Sequence, residues 1–159
     1  MSRKTKPLSC KDWFKDKPQC LESSDSRNQV ICLDKDGGKS KYTLTNKTNQ
    51  PICKYKVDGC LIASSTQKQT DFLLIHPGKM MAYLVELKGS DLLKAVKQID
   101  ASLNALRLQE ELAINARIVL TRVNSIALRD TQYLRLKKRM KSLGGSLKQQ
   151  TQQMQETIA

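Results

Sequence analysis

Aromatic residues are scarce in this chain of 159 residues: one tryptophan, four tyrosines and two phenylalanines, 4% of the total. Stacking of unpaired bases on aromatic rings therefore has little to work with. No apolar run approaches the roughly 20 residues that a bilayer-spanning helix needs. The basic start, MSRKTKPLSCKDWFKDKPQC, carries no apolar core of the kind a secretory signal has. There is one histidine, His76, and no Cys-x-x-Cys pair; Cys10, Cys20, Cys32, Cys53 and Cys60 stand at wide, irregular intervals. Neither a structural zinc nor an iron–sulfur cluster has ligand spacing in its favour. Without a signal, five reduced thiols in a cytoplasmic protein are the expectation. Acidic residues are also in short supply, 15 against 28 lysines and arginines, for a formal charge of +13. The length argues for a single domain, and the 39% hydrophobic content suffices for a core. A charge this large on a small domain favours a polyanionic partner: nucleic acid first, an acidic protein second, and no membrane.

Three regions follow from the pattern. Residues 1–28 are polar, contain Pro7 and Pro18, and read as an irregular or short-helical extension, with Trp13 and Phe14 anchoring it. Residues 29–145 read as the core. Strands are expected near Val30–Leu33, Lys41–Thr45, Ile52–Ile62, Asp71–Ile75 and Met81–Lys88, in an antiparallel meander punctuated by turn formers. The period then changes: Leu92, Val96, Ile99, Leu103 and Leu106 recur at steps of four and three, which predicts a helix from Asp91 to Ala113 with Ser90 as its N-cap. Ala116–Thr121 is apolar on both sides, as a buried strand is. A second helix is expected from Asp130 to Leu143, stopped at Gly144-Gly145. Residues 146–159 are glutamine-rich and read as a polar edge strand or tail. The order predicts an α/β fold with a mixed sheet, the first helix being the crossover that parallel pairing requires.

The chemistry concentrates in Glu86-Leu87-Lys88. Residues two apart on a strand share a face, so the carboxylate of Glu86 and the amine of Lys88 project together. Asp71 lies on the preceding strand. If Ile75 pairs with Met80, Asp71 stands opposite Leu84 and shares that face, about 7–8 Å diagonally from Glu86. Asp58, one strand earlier, is either a further ligand or a turn-proximal charge.

This constellation resembles the PD-(D/E)XK nuclease superfamily, to which Holliday-junction resolvases and RecB-type nucleases belong. Residues 57–103 carry the resemblance. Asp71 matches the metal-binding aspartate and Glu86-Leu87-Lys88 the ExK motif, although Thr70 stands where many members have proline, and a first-helix glutamate has no clear match (Glu22 is the nearest). The resemblance implies a restriction-endonuclease-like three-layer core, a mixed sheet flanked by helices. It also implies Mg²⁺- or Mn²⁺-dependent hydrolysis of phosphodiester bonds, in DNA rather than RNA. Asp71, Glu86 and the Leu87 carbonyl would be hard oxygen ligands, with Asp58 a further candidate, and Lys88 would act on the attacking water. The amino end of the following helix would face the phosphate.

Gln98 resembles the helix glutamine of RecB-type members, with Lys94 one turn earlier and Lys97 beside it. Arg135, Lys137, Lys138 and Arg139 belong to a basic run that either grips a nucleic-acid backbone or is a solvated helix face. No recognition domain is evident, so a homodimer or a partner protein would supply specificity; phage defence or a mobile element is the setting the resemblance suggests. Two other readings compete: a non-catalytic nucleic-acid-binding module that keeps the fold, and a protein-interaction or immunity-type factor whose basic face meets an acidic partner.

Overall fold

The computed structural model describes residues 9–34, 37–63, 66–122 and 125–159, with Lys88 described in its backbone only. In chain order the elements are β1 (Leu21–Asp25), β2 (Gln29–Leu33), β3 (Lys41–Asn46), β4 (Ile52–Lys56), β5 (Phe72–His76), β6 (Met81–Lys88), α1 (Leu92–Leu106), β7 (Ala113–Leu120), α2 (Thr131–Ser142), β8 (Gly144–Thr151) and β9 (Gln153–Ile158). Six strands form a mixed sheet in the order β1-β4-β5-β6-β7-β8, and β2-β3-β9 form a second sheet. The pairs β1–β4, β4–β5 and β5–β6 are antiparallel; β6–β7 and β7–β8 are parallel. The fold is thus α/β with a mixed sheet, and α1 is the crossover between the parallel strands β6 and β7.

Alternation along the strands sorts the core into two layers. On one face, Leu73 of β5, Leu84 of β6 and Ile118 of β7 meet Val96 and Ile99 of α1 and Met140 of α2. On the other, Phe72, Leu74 and Val85 meet Val30, Tyr42 and Leu44 of the small sheet. Each fully buried Leu, Ile or Val contributes about 1.5–3 kcal/mol. Both helices lie on one face; the layer opposite is a sheet, where helices on both sides were expected. The alternating β2, β3 and β9 supply the apolar face that a further helix would otherwise have provided.

Several boundaries move from the sequence expectation. Residues 21–25, expected to be irregular or helical, form β1 at the sheet edge. β4 stops at Lys56, because Gly59 (φ +73°) turns the chain and the 57–62 segment bonds to itself, Ile62 N donating to Val57 O. α1 ends at Leu106, with Arg107 left-handed at its C-cap, because the chain must reverse in time for Ala113 N to reach Met80 O. The glutamine-rich tail forms two strands, β8 in the large sheet and β9 in the small one. Gly145 lies where an added Cβ would meet the Ile114 carbonyl oxygen at 2.0 Å, so only glycine lets β8 draw up to β7 there.

The expectation of five reduced thiols is corrected. Cys10–Cys53 and Cys20–Cys60 are disulfides, while Cys32 is a buried thiol in no disulfide. The two bridges fasten residues 10 and 20 to the start of β4 and to the turn beyond it. Phe14 meets the Tyr55 ring edge-on at 5.0 Å, and Lys17 Nζ donates to Leu61 O at 2.6 Å. Among the described residues no helix is long and apolar enough to cross a membrane.

Candidate functional site

The β5–β6 hairpin sets the register on which any carboxylate pair depends. His76 pairs with Met81, Ile75 with Ala82 and Phe72 with Val85. The connection is a 3-10 turn, Pro77–Lys79, followed by Met80 in the left-handed region at φ 51°. This turn consumes four residues, so the expected pairing of Ile75 with Met80 is shifted by two. A shift of two preserves the face of every side chain. It also moves Asp71 from opposite Leu84 to level with Glu86, one step beyond the last ladder pair, where opposed Cβ atoms lie about 4.5–5.5 Å apart.

Asp71 is held at that position from two sides. Its carboxylate Oδ2 accepts from Leu87 N at 2.8 Å, and its carbonyl accepts from Val57 N at 3.0 Å. Thr70 adds two anchors that proline could not make. Its N–H donates to Ser102 Oγ at 2.8 Å and its hydroxyl to Val85 O at 3.1 Å. The departure from a Pro-Asp dipeptide thus has a structural use here.

Glu86 shares its face of β6 with Ala82 and Leu84, the face that α1 covers, and it is 0% exposed. Asp71 is half-buried. Neither carboxylate is fully open to solvent, and Glu86 is closed off from it. Burying a carboxylate is costly unless it is partnered. The Leu87 side chain points the other way, into the layer beneath the small sheet. The side chain of Lys88 lies outside the described residues.

Behind Asp71 stands a polar cluster that links β5 to α1. Gln98 Nε2 donates to Gln69 O at 3.3 Å. Ser102 Oγ contacts both Gln69 Oε1 at 3.0 Å and Gln98 O at 2.8 Å. Gln98 is 2% exposed and its Oε1 has no hydrogen-bond partner among the described residues. Asp58 joins from the other side, its Oδ1 accepting from Gln69 N at 3.1 Å. Asp58 and Gln98 therefore both converge on Gln69, two residues before Asp71. Among the described residues no group of three or more His, Cys, Asp and Glu side chains gathers as a metal cluster would. Gln69 and Ser102 were not singled out from the sequence, and Thr70 was noted only as standing in the place of a proline. The signal was present, since Gln98 and Ser102 are polar residues on the helix face that also carries Val96, Ile99 and Leu103.

No protein-family model, curated protein or solved structure matches this chain.

The remaining basic candidates separate into two places. Lys94 and Lys97 are exposed on the first turns of α1, at the end of the sheet where Glu86 lies. The N-cap of α1 is Asp91, not Ser90: its side chain accepts from Lys94 N at 3.0 Å. A carboxylate thus occupies the helix end expected to attract phosphate. Arg122 and Arg129, both exposed on the segment after β7, lie at this same end, where Thr121 N donates to Gly89 O at 2.9 Å. The sequence reading overlooked them, because isolated arginines form no run.

α2 runs back antiparallel to β7 and delivers Gly144 to Ile114 at the opposite end of the sheet. Arg135, Lys137 and Lys138 are exposed along it and draw away from the carboxylates. Arg139 does not stand with them: its guanidinium reaches Asp100 Oδ1 at 2.7 Å and Asn104 Oδ1 at 2.9 Å, joining the two helices.

Proposed function

We propose that this protein is a metal-dependent nuclease of restriction-endonuclease-like type that hydrolyses phosphodiester bonds in DNA. The observation that carries the reading is the register that sets Asp71 level with Glu86, with Leu87 N–H bound to the Asp71 carboxylate. The β4–β5–β6 meander followed by α1 and the parallel β7 supports it, as does the charge of +13.

Two carboxylates on neighbouring strands and a strand-end carbonyl are hard oxygen donors of the kind Mg²⁺ or Mn²⁺ takes. Asp71, Glu86 and the Leu87 carbonyl would hold the ion; Asp58, engaged with Gln69, would act on the site through that residue. When bound, such an ion polarises the phosphate and lowers the pKa of an attacking water. The chain's own residues do the rest. Asp71 is positioned by Leu87 N and Val57 N, and the Gln69–Gln98–Ser102 cluster holds the strand that bears it against α1. Lys88 orients the attacking water and offsets the charge that builds on the phosphate, and Lys94, Lys97, Arg122 and Arg129 meet the flanking phosphates.

One observation favours the second reading, a nucleic-acid-binding module without turnover: the complete burial of Glu86. Incubation with supercoiled plasmid, with and without Mg²⁺ or Mn²⁺, separates the two. We expect nicking that requires the metal and is lost in Asp71→Asn and Glu86→Gln while DNA binding persists. Nicking by either variant at the wild-type rate would leave only the binding module. A cytoplasmic location is weakened by the two disulfides, which favour folding in an oxidising compartment.

A further inference from the structure

The disposition of the aromatic residues and of the cations on α2 bears on the form of nucleic acid that this surface accepts. The chain has one tryptophan, four tyrosines and two phenylalanines, and the fold leaves none of them exposed. Tyr42, Tyr55, Phe72, Tyr83 and Tyr133 are buried, while Trp13 and Phe14 are half-buried against the core under the disulfide-tied segment. Proteins that track single strands rely on stacking bases on exposed rings, and here no ring is exposed.

Cations are presented instead. Along α2, Tyr133, Leu136 and Met140 turn inward. At 3.6 residues per turn this points Lys138 directly outward, with Arg135 and Lys141 flanking it over about 9 Å of helix. All three are exposed. Among the described residues Arg139 is the only cation of α2 with an acidic partner, so the outward three present unneutralised charge. They stand on the outer surface of the helix layer, away from the end of the sheet that bears Asp71 and Glu86.

We infer that this outer face of α2 is a phosphate track for double-stranded nucleic acid, gripping a duplex arm apart from the carboxylate pair and reading no base. A duplex keeps its bases stacked internally and offers a rigid, dense line of phosphates, so a surface with charge and without rings suits it. A single strand, deprived of stacking partners, would gain from the charge alone. The inference deepens the nuclease reading by naming the form of its substrate, and rests on that reading only for what happens after binding.

The test measures binding by fluorescence anisotropy in EDTA across a salt series, with a labelled duplex and with one of its single strands. We expect the wild type to bind the duplex at least tenfold more tightly. The triple variant Arg135→Gln/Lys138→Gln/Lys141→Gln, its folding checked by circular dichroism, should lower the log–log salt slope for the duplex by about 2–3, at roughly 0.9 per phosphate contact. Equal affinity for duplex and single strand, or an unchanged slope in the triple variant, would overturn the inference. Loss of binding to phosphatidylserine vesicles with duplex binding intact would also overturn it, since the face would then be a membrane contact. Plasmid nicking by Asp71→Asn reads the chemistry separately: wild-type nicking by that variant removes the nuclease reading while the duplex track stands on its own slope.

Discussion

His76 has both ring nitrogens engaged. Lys79 N donates to Nδ1 at 3.0 Å, so the ring proton sits on Nε2 and is donated to Thr48 Oγ1 at 2.8 Å. Burial, aided by the nearby Lys79, pushes its pKa below the ordinary 6.5. The unfolded chain therefore binds a proton that the folded chain refuses, over the window between the lowered value and about 6.5. Stability is full above that window, falls as pH drops through it, and falls no further below it from this cause. Urea unfolding at pH 7.5 and at successively lower pH should show this loss, and His76→Asn should flatten that part of the profile. A wild-type profile that is flat there would mean the proton enters without disturbing the turn. At the same scale, Thr70→Pro would remove two hydrogen bonds, each worth about 0.5–1.5 kcal/mol; we expect a lower urea midpoint.

Among the elements, β9 is fixed to the rest by an ion pair whose arginine is buried and whose glutamate is partly so. Arg117 of β7 is 4% exposed and bonds Glu156 of β9, which also accepts from the Tyr42 hydroxyl at 2.9 Å. Burial alone would raise the Glu156 pKa, but Arg117, Tyr42 and Lys148 together hold it below the usual carboxylate value. Replacing one partner strands the other in the interior, so Glu156→Ala should cost about 3–5 kcal/mol, read as a drop in urea midpoint with the slope unchanged. A change under 1 kcal/mol would show that solvent enters to replace the carboxylate. Elements differed in how far the sequence disclosed them. α1 was legible in its stripe, because Leu92, Val96, Ile99 and Leu103 face the core as their spacing requires. The hairpin was legible in face but not in register, because nothing in Pro77-Gly78-Lys79-Met80 announces a left-handed methionine. β1 was hidden and β9 was one of two readings, edge strand or tail, since Leu21–Asp25 and Gln153–Ile158 are polar edge strands whose partners, rather than their own composition, make them strands.

For the molecule as a whole, the two bridges were invisible for a related reason. Their half-cystines lie 43 and 40 residues apart in sequence, and only the folded sheet brings them together. By the chain-entropy account, each loop of this size restrains the unfolded chain by about 4 kcal/mol. Thiol titration of the denatured, unreduced protein should find one thiol, Cys32, and four more after reduction. Thermal melting with and without dithiothreitol should show a large fall in midpoint; unchanged melting would mean that the core alone holds the 9–20 segment. The carboxylate pair itself was legible as residues, Asp71 and Glu86. Its depth was not, because burial of Glu86 depends on where α1 settles.

The pairing of β3 with β9 also has a consequence for the order in which the molecule can be made. Lys41 is bonded into a ladder with Gln153, and Asn46 with Ile158, so β3 waits for a partner more than a hundred residues later in synthesis. During translation the large sheet from β4 to β7 can assemble with α1 while the small sheet remains an incomplete hairpin of β2 and β3. Tyr42 and Leu44 then lack the cover of Met154 and Ile158 until β9 has emerged. Long-range parallel pairing of this kind is slow to form, and until β9 closes the small sheet the open β3 edge is the surface most prone to pair with another nascent chain.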